Sequence, residues 1–309
     1  MMEKIKQNMN PEQRAKYFFR ALLIFSVLSI FIFIVLINSI EKEAEPIAST
    51  TNRGENERIS IEAKSAFVWD ILNQQELFSK NADLALPLAS LTKVMTALTA
   101  KQILDNDDTI TIEESDLSPE GDSDFKIGET WRAQDLIDFV LITSSNDGAH
   151  ALAKTAMRKE GGEEDFIKKM NKTALDIGLE NSRFWNEHGL DRRVDRGGAY
   201  GSARDMARLF EYSLKNSPNI LEATRHDNLA IYSSATVYNA INTNVSVSAI
   251  SGLLASKTGF TDLAGGNLTI IFDAGLQRPV VVAVLGSSEE GRFSDTLKLV
   301  EMAMKKIKN

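Results

Sequence analysis

Ser90-Leu91-Thr92-Lys93 sets a hydroxyl and an amine three positions apart. At the start of a helix, that spacing stacks the two side chains one turn apart on one face. The amine can then take the hydroxyl's proton and leave a nucleophile behind. A helix N-terminus adds free backbone N–H groups and the positive end of a dipole, and both favour negative charge developing on an attacked carbonyl. Such a lysine must be neutral near pH 7, a state that burial and a neighbouring cation promote. Taken singly, the spacing is common: Ser39/Lys42 and Ser123/Lys126 repeat it, and an N-capping serine with a solvated lysine would satisfy it equally well. Two further clusters narrow the reading. Ser144-Ser145-Asn146 follows an apolar helical stretch ending at Ile142, and Lys257-Thr258-Gly259, which occurs once in the chain, precedes the strand-like run from Leu268. A lysine at a strand edge there can face a cleft.

Other chemistries are removed by inspection. The 309 residues contain no cysteine, which excludes thiolate nucleophiles, disulfides, iron–sulfur clusters and Cys-ligated zinc. There is no Gly-Lys pair for a P-loop, no H-E-x-x-H, no G-x-G-x-x-G and no G-x-S-x-G. Neither a metal nor an organic cofactor is expected. The three histidines are His150, His188 and His226. His188, in the turn Asn186-Glu187-His188-Gly189, reads as a structural or solvated side chain rather than as the base of a triad. A net charge of -8 and a pI near 5.1 offer no electrostatic footprint for nucleic acid.

The elements that must position these residues follow from hydrophobic periodicity. Hydrophobic residues at 43% and charged residues at 25% are globular values, and the length suffices for a large buried core. The alternation of Ile59, Ile61 and Ala63 predicts an extended start, continued by Ala66-Phe67-Val68-Trp69 and a turn at Asp70 to Asn73 into Glu76-Leu77-Phe78. Leu91, Val94, Met95 and Leu98 recur at helical spacing, placing Ser90 at the start of a helix reaching Ile103. Leu136, Ile137, Val140 and Leu141, and then Phe166, Met170, Ala174 and Ile177, predict two more helices. Leu268 to Phe272 and Val280 to Leu285 read as a hairpin, and Phe293 to Lys306 as a closing amphipathic helix. Strands at both ends with helices between them predict an α+β domain whose sheet joins the two ends. No internal repeat is present.

The N-terminus departs from this pattern. Ala21 to Ile37 is apolar except for Ser26 and Ser29, and Phe18, Phe19 and Ile40 extend the stretch. About 20 residues at ~1.5 Å each match a hydrocarbon core of ~30 Å. Lys4, Lys6, Arg14, Lys16 and Arg20 precede it, and Glu41, Glu43 and Glu45 follow it. The asymmetry predicts a single span with the N-terminus in the cytoplasm and the rest of the chain outside. The expected organisation is a basic segment over 1–20, a transmembrane anchor over 21–40, a polar linker over 41–57 and a catalytic domain over 58–309. A cleaved signal peptide is the competing reading, against which the run is long and no small-x-small site follows it.

In order, S-x-x-K, S-x-N and K-T-G form the pattern of the penicillin-interacting serine enzymes. The chain resembles the serine-type D-alanyl-D-alanine carboxypeptidases, the low-molecular-mass penicillin-binding proteins. The likeness extends through Lys80-Asn81-Ala82-Asp83, Ala89 to Lys93, Ser144 to Asp147, Met170-Asn171, Gly189-Leu190, Ala203 to Ala207, and Lys257 to Thr261 with Ala264-Gly265. The resemblance implies the fold shared with the serine β-lactamases, an antiparallel sheet flanked by helices with a helical subdomain carrying Ser144 and Asn146. It further implies that Ser90 attacks the penultimate D-Ala carbonyl of a peptidoglycan stem peptide and that Lys93 is the base, with Ser144 relaying the proton to the leaving amine. By the same resemblance Asn146 binds the substrate backbone, the N–H groups of Ser90 and Phe260 form the oxyanion hole beside Gly259, and Lys257 and Thr258 bind the terminal carboxylate. The implied partners are stem peptides ending in D-Ala-D-Ala, β-lactams as inhibitors, and the membrane through the anchor.

Some positions depart from the common pattern. Pro87-Leu88 before the serine is closer to the muralytic endopeptidases, and Glu187 stands where proline is usual. The residues after Gly259 are too few for the long C-terminal β domain and amphipathic anchor of many members, so the N-terminal span is expected to take over anchoring. A DD-endopeptidase is therefore the first alternative to a carboxypeptidase. A β-lactamase would need a water-activating glutamate, and no E-x-x-L-N segment lies between Asn146 and Lys257. A non-catalytic wall-binding protein would have no need of Ser90, Lys93, Ser144, Asn146 and Lys257 together.

Overall fold

A five-stranded antiparallel sheet, apolar in its three inner strands, builds the frame that positions the site. The computed structural model describes residues 59–117, 120–121, 123–162 and 165–308, so the anchor and linker expected over 21–57 lie outside the described residues. Arg58–Asn309 forms one compact unit. β1 (Ser65–Asp70) turns into β2 (Gln75–Lys80), and β3 (Leu86–Pro87) is a short extended piece leading to a 3-10 turn over Ala89–Leu91. Then come α1 (Thr92–Lys101), β4 (Thr109–Thr111), β5 (Thr130–Arg132), α2 (Ala133–Thr143), α3 (Asn146–Lys159) and α4 (Phe166–Asp176). β6 (Arg183–Phe184), β7 (Ala199–Gly201), α5 (Ala203–Asn216), α6 (Asn219–Glu222), β8 (Asn228–Tyr232) and β9 (Val237–Ile241) follow. β10 (Leu253–Thr261), β11 (Gly265–Asp273), β12 (Pro279–Ser287) and α7 (Gly291–Lys308) complete the order.

The main sheet has the order β10-β11-β12-β1-β2 and is antiparallel throughout. β1 lies against β12 with Ser65 opposite Leu285, so the sheet does join the two ends of the domain. Its two faces are both covered, which explains why β12 reads as an unbroken apolar run rather than an alternating one. One face packs on α7 through Val68, Ile270, Val282, Val284, Leu299 and Ala303. The other joins the large core around α1, α2 and α5. Every residue of α1 from Thr92 to Ala100 is buried, the signature of a helix surrounded on all sides.

Two expectations are corrected in detail. Residues 59–64 form no strand, because the N–H groups of Glu62 and Ala63 donate to the Asp295 carboxylate of α7 (3.1 and 2.8 Å) and need no neighbouring strand. Ser90 lies in the 3-10 turn before α1 rather than in its first helical turn. Lys257-Thr258-Gly259 sits within β10, at the edge of the sheet and ahead of β11, so Lys257 is the strand-edge lysine the sequence suggested. Among the described residues no helix is long and apolar enough to cross a membrane.

Candidate active site

The turn that carries Ser90 is held against its own preference. Ala89 has a φ of 48°, in the left-handed region, where a residue with a Cβ costs of order 1–3 kcal/mol and persists only if its surroundings fix it. They do. Asn267, fully buried in β11, donates its amide to the carbonyls of Pro87 and Leu88 (2.9 and 3.1 Å) and accepts from the N–H of Gly286 (2.8 Å). The N–H of Leu88 donates to the carbonyl of Ala199 in β7 at 3.0 Å. Two glycines admit the turn. A Cβ on Gly189 would stand 1.9 Å from the Ala89 carbonyl oxygen, and one on Gly259 would stand 2.8 Å from that of Leu88 and 3.1 Å from the Ser90 nitrogen. The glycine of K-T-G thus lets β10 close on the serine.

Lys93 is fully buried one turn after Ser90. Its Nζ donates to Ser90 Oγ (2.8 Å), Asn146 Oδ1 (2.7 Å) and the His188 carbonyl (2.8 Å). None of these acceptors is charged. Burial pushes the Lys93 amine well below its ordinary basicity and the charge of Lys257 pushes it further, while the Glu187 carboxylate pulls the other way. A hydroxyl in contact with such an amine can lose its proton to it.

Ser144-Ser145-Asn146 works as a junction. Ser144 caps the end of α2 in the left-handed region, with φ 66°. Ser145 opens α3 by accepting the N–H of Gly148 on its hydroxyl at 2.9 Å, which supplies a first-turn donor with the partner it otherwise lacks. That turn delivers Asn146 to Lys93 and Ser144 to the facing strand. Asn146 Nδ2 also donates to the carbonyl of Glu120. Across the cleft, Lys257 Nζ donates to Ser144 Oγ (2.9 Å) and to the Thr258 carbonyl (3.0 Å). Burial, then the charge of Arg292, bring the Lys257 ammonium down to about 7. Thr258 Oγ1 is 2.5 Å from Thr243 Oγ1. Phe260 is 42% exposed at the rim, the most open of the predicted residues. Hydrogen bonds join Ser90, Lys93 and Asn146 in one set and Ser144 and Lys257 in another, while Gly259 lies against the Ser90 turn and Thr258 and Phe260 flank it on β10. Among the described residues no group of three or more His, Asp or Glu side chains is placed to hold a metal.

The D-alanyl-D-alanine carboxypeptidase family matches residues 50–289. The chain belongs to that family. It is 30% identical over 251 residues to the D-alanyl-D-alanine carboxypeptidase DacF of Bacillus subtilis, a match covering 79% of this chain and 63% of the relative. A D-alanyl-D-alanine endopeptidase of Pseudomonas aeruginosa is 30% identical over 249 residues, covering 76% and 75%. This chain therefore spans less than two thirds of the length of the Bacillus relative and three quarters of that of the Pseudomonas one. Penicillin-binding protein D2 of Listeria monocytogenes, solved with ampicillin bound, superposes with a TM-score of 0.67 at 28% identity over 79% of this chain and 98% of that one. The fold is thus the mixed α/β penicillin-binding fold, and the chain is a serine hydrolase of the peptidase class.

Several residues of this serine peptidase were not apparent as functional from the sequence. His188 contributes its carbonyl to Lys93, while its ring accepts the N–H of Leu190 (3.1 Å) and is driven by burial down to about 4. That is the structural role expected of it, with an added backbone one. Asn267 braces the serine's turn; a polar residue inside a buried apolar strand was the available signal. Arg292, at the start of α7, donates Nη1 to the Gly259 carbonyl at 3.0 Å, and no sequence pattern singles it out.

Proposed function

We propose that this chain is a membrane-anchored DD-peptidase that removes the terminal D-Ala from peptidoglycan stem peptides. The observation that carries the reading is the 2.8 Å contact between Ser90 Oγ and an Lys93 amine that is fully buried among uncharged acceptors. Ser90 Oγ attacks the carbonyl carbon of the penultimate D-Ala while Lys93 Nζ takes its proton. Negative charge collects on the carbonyl oxygen, facing the N–H groups of Ser90 and Phe260. The proton passes by way of Ser144 to the nitrogen of the terminal D-Ala, the C–N bond breaks, and free D-Ala leaves. Water then attacks the Ser90 ester under the same base, restoring the serine. Asn146 holds the substrate's amide backbone. Lys257 and Thr258 hold the terminal carboxylate, and Lys257 opposes protonation of Lys93. β-Lactams, which present a reactive amide with a neighbouring carboxylate, occupy the same groups; the ampicillin-bound Listeria relative supports this. Residues 21–40 anchor the domain outside the cytoplasmic membrane, and 41–57 tether it.

Cleavage of peptidoglycan cross-links is the second reading. It is favoured by Pro87-Leu88 before the serine and by the 30% identity to the Pseudomonas endopeptidase. A D-Ala-D-Ala pentapeptide and a cross-linked dimer, each incubated with the chain and analysed by mass, separate the two. Release of one D-Ala from the pentapeptide is expected; release of monomers from the dimer alone would assign the endopeptidase. Both substrates surviving intact, with no penicillin adduct on Ser90, would overturn the proposal.

A further inference from the structure

Lys93 has two supports besides Ser90, and they come from different parts of the chain. One is Asn146, the first residue of α3, and the other is the His188 carbonyl. The segment holding His188 is fastened to α1 at two consecutive carbonyls, since Thr96 Oγ1 donates to the Glu187 carbonyl at 2.6 Å. The Glu187 side chain, only 14% exposed, meets His150 Nδ1 at 2.6 Å. His150 lies one turn along α3 from Asn146, at i+4, so the pair ties the two supports together. Its carboxylate also acts on the Lys93 amine, in the direction opposite to Lys257.

We propose that His150 and Glu187 form a tuning pair for Lys93: the contact fixes the His188 carbonyl and Asn146 around the amine, and protonation of His150 sets how much of the Glu187 charge the amine feels. The inference rests on the assignment of Lys93 as base. With His150 protonated the pair is neutral and Lys93 gives up its proton more readily. With His150 neutral, the bare Glu187 carboxylate favours the ammonium form and slows attack by Ser90. The facing groups allow this. His150 meets Glu187, then Asp116 of the 3-10 turn over Glu114–Leu117, and Lys154 on its own helix; its hydrogen bond to Glu187 raises its basicity against burial. Around Glu187, burial disfavours the charge, but the hydrogen bond from His150 outweighs it and leaves the carboxyl below its ordinary value. His188, brought down to about 4, is neutral and cannot replace His150 as the counterion. On its other side Lys93 faces Lys257 of β10, itself beside Arg292 of α7.

The test is the rate of Ser90 acylation by a fluorescent penicillin, followed with the full chain from about pH 5 to pH 9. Glu187→Gln is expected to move the acid limb to lower pH, so that labelling at about pH 6, relative to each protein's own plateau, is about two- to fivefold faster than in the wild type. His150→Gln is expected to move it the other way, about two- to fivefold slower at the same pH. Glu187→Asp, which keeps the charge, should retain the wild-type limb. A merely structural pair would lower the plateau in all three without moving the limb, and that result would overturn the proposal. So would an acid limb absent from the wild type. Should Glu187→Gln fail to fold, the more exposed His150→Gln decides by itself. No adduct on wild-type Ser90 would refute the underlying reading, whereas wild-type labelling with coincident limbs would refute the pair alone.

Discussion

The lysines of the cleft and those along α3 differ in burial and in the company they keep. Lys159 meets Asp105 and Asp108 at 3.0 and 2.6 Å, and Lys154 meets Asp116 and Glu113 at 2.5 and 3.2 Å. Contact with Asp108 first, then Asp105, raises the basicity of Lys159. Lys93 and Lys257 are buried, and their hydrogen bonds end on hydroxyls, an amide and backbone carbonyls. Their basicity falls. The chain has carboxylates to spare, 43 against 35 cationic residues. Burial, with carboxylates kept out of contact, is what lowers the basicity of these two lysines, at a cost in solvation that the rest of the fold must offset.

The largest effect expected from breaking this arrangement is at Lys93. Lys93→Ala should lower the rate of Ser90 acylation by about 10²–10⁴-fold, the range for a removed general base, while circular dichroism shows a folded domain; wild-type rates would remove Lys93 from the mechanism. Asp70 offers the reverse case, a buried charge that keeps its counterion. Its carboxylate, with no exposed side chain, accepts from Arg278 Nε and Nη2 (2.8 and 2.6 Å) and from the Leu72 and Asn73 N–H groups. Asp70→Asn should cost about 2–4 kcal/mol in denaturant unfolding. Burial alone would raise its pKa, but Arg278 and Asn73 together hold it below 3.8. The stabilisation is therefore present above the unfolded value and lost as pH falls through the folded one. The gap between wild type and variant should close on acidification below that range; a gap that widens there would contradict the sign.

Lys257→Gln sharpens the contrast within the cleft. Removing the like charge should move the acid limb of acylation to higher pH. If Lys257 also holds the substrate carboxylate, the wild type should cleave a D-Ala-D-Ala acid at least about tenfold better than its C-terminal amide, and the variant should narrow that gap. Equal wild-type rates on acid and amide would confine Lys257 to tuning Lys93. The smallest effect belongs to the surface. Lys159→Ala should leave the labelling rate unchanged and shift the melting midpoint by less than about 2 °C, since exposed pairs contribute little. A larger loss would mean that α3 depends on its flank of charges.

Much of this was legible in the residues because it is local. Ser90 and Lys93 are one turn apart by spacing alone, and the apolar runs of β11 and β12 declare buried strands. The three motifs identified the cleft and its serine. What lay beyond reach depends on partners far along the chain. Ile59 to Ala63 alternates like a strand, yet Asp295, more than 230 residues away, takes its N–H groups. His150 and Glu187 are 37 positions apart, and nothing local marks them as a pair. The basicity of Lys93 is the clearest case. Sequence determined that an amine would lie beside Ser90; only the tertiary structure, by burying it among neutral acceptors from α3 and the His188 turn with Lys257 across the cleft, decided that its basicity would fall well below the ordinary value, because a charge's cost is set by everything that surrounds it.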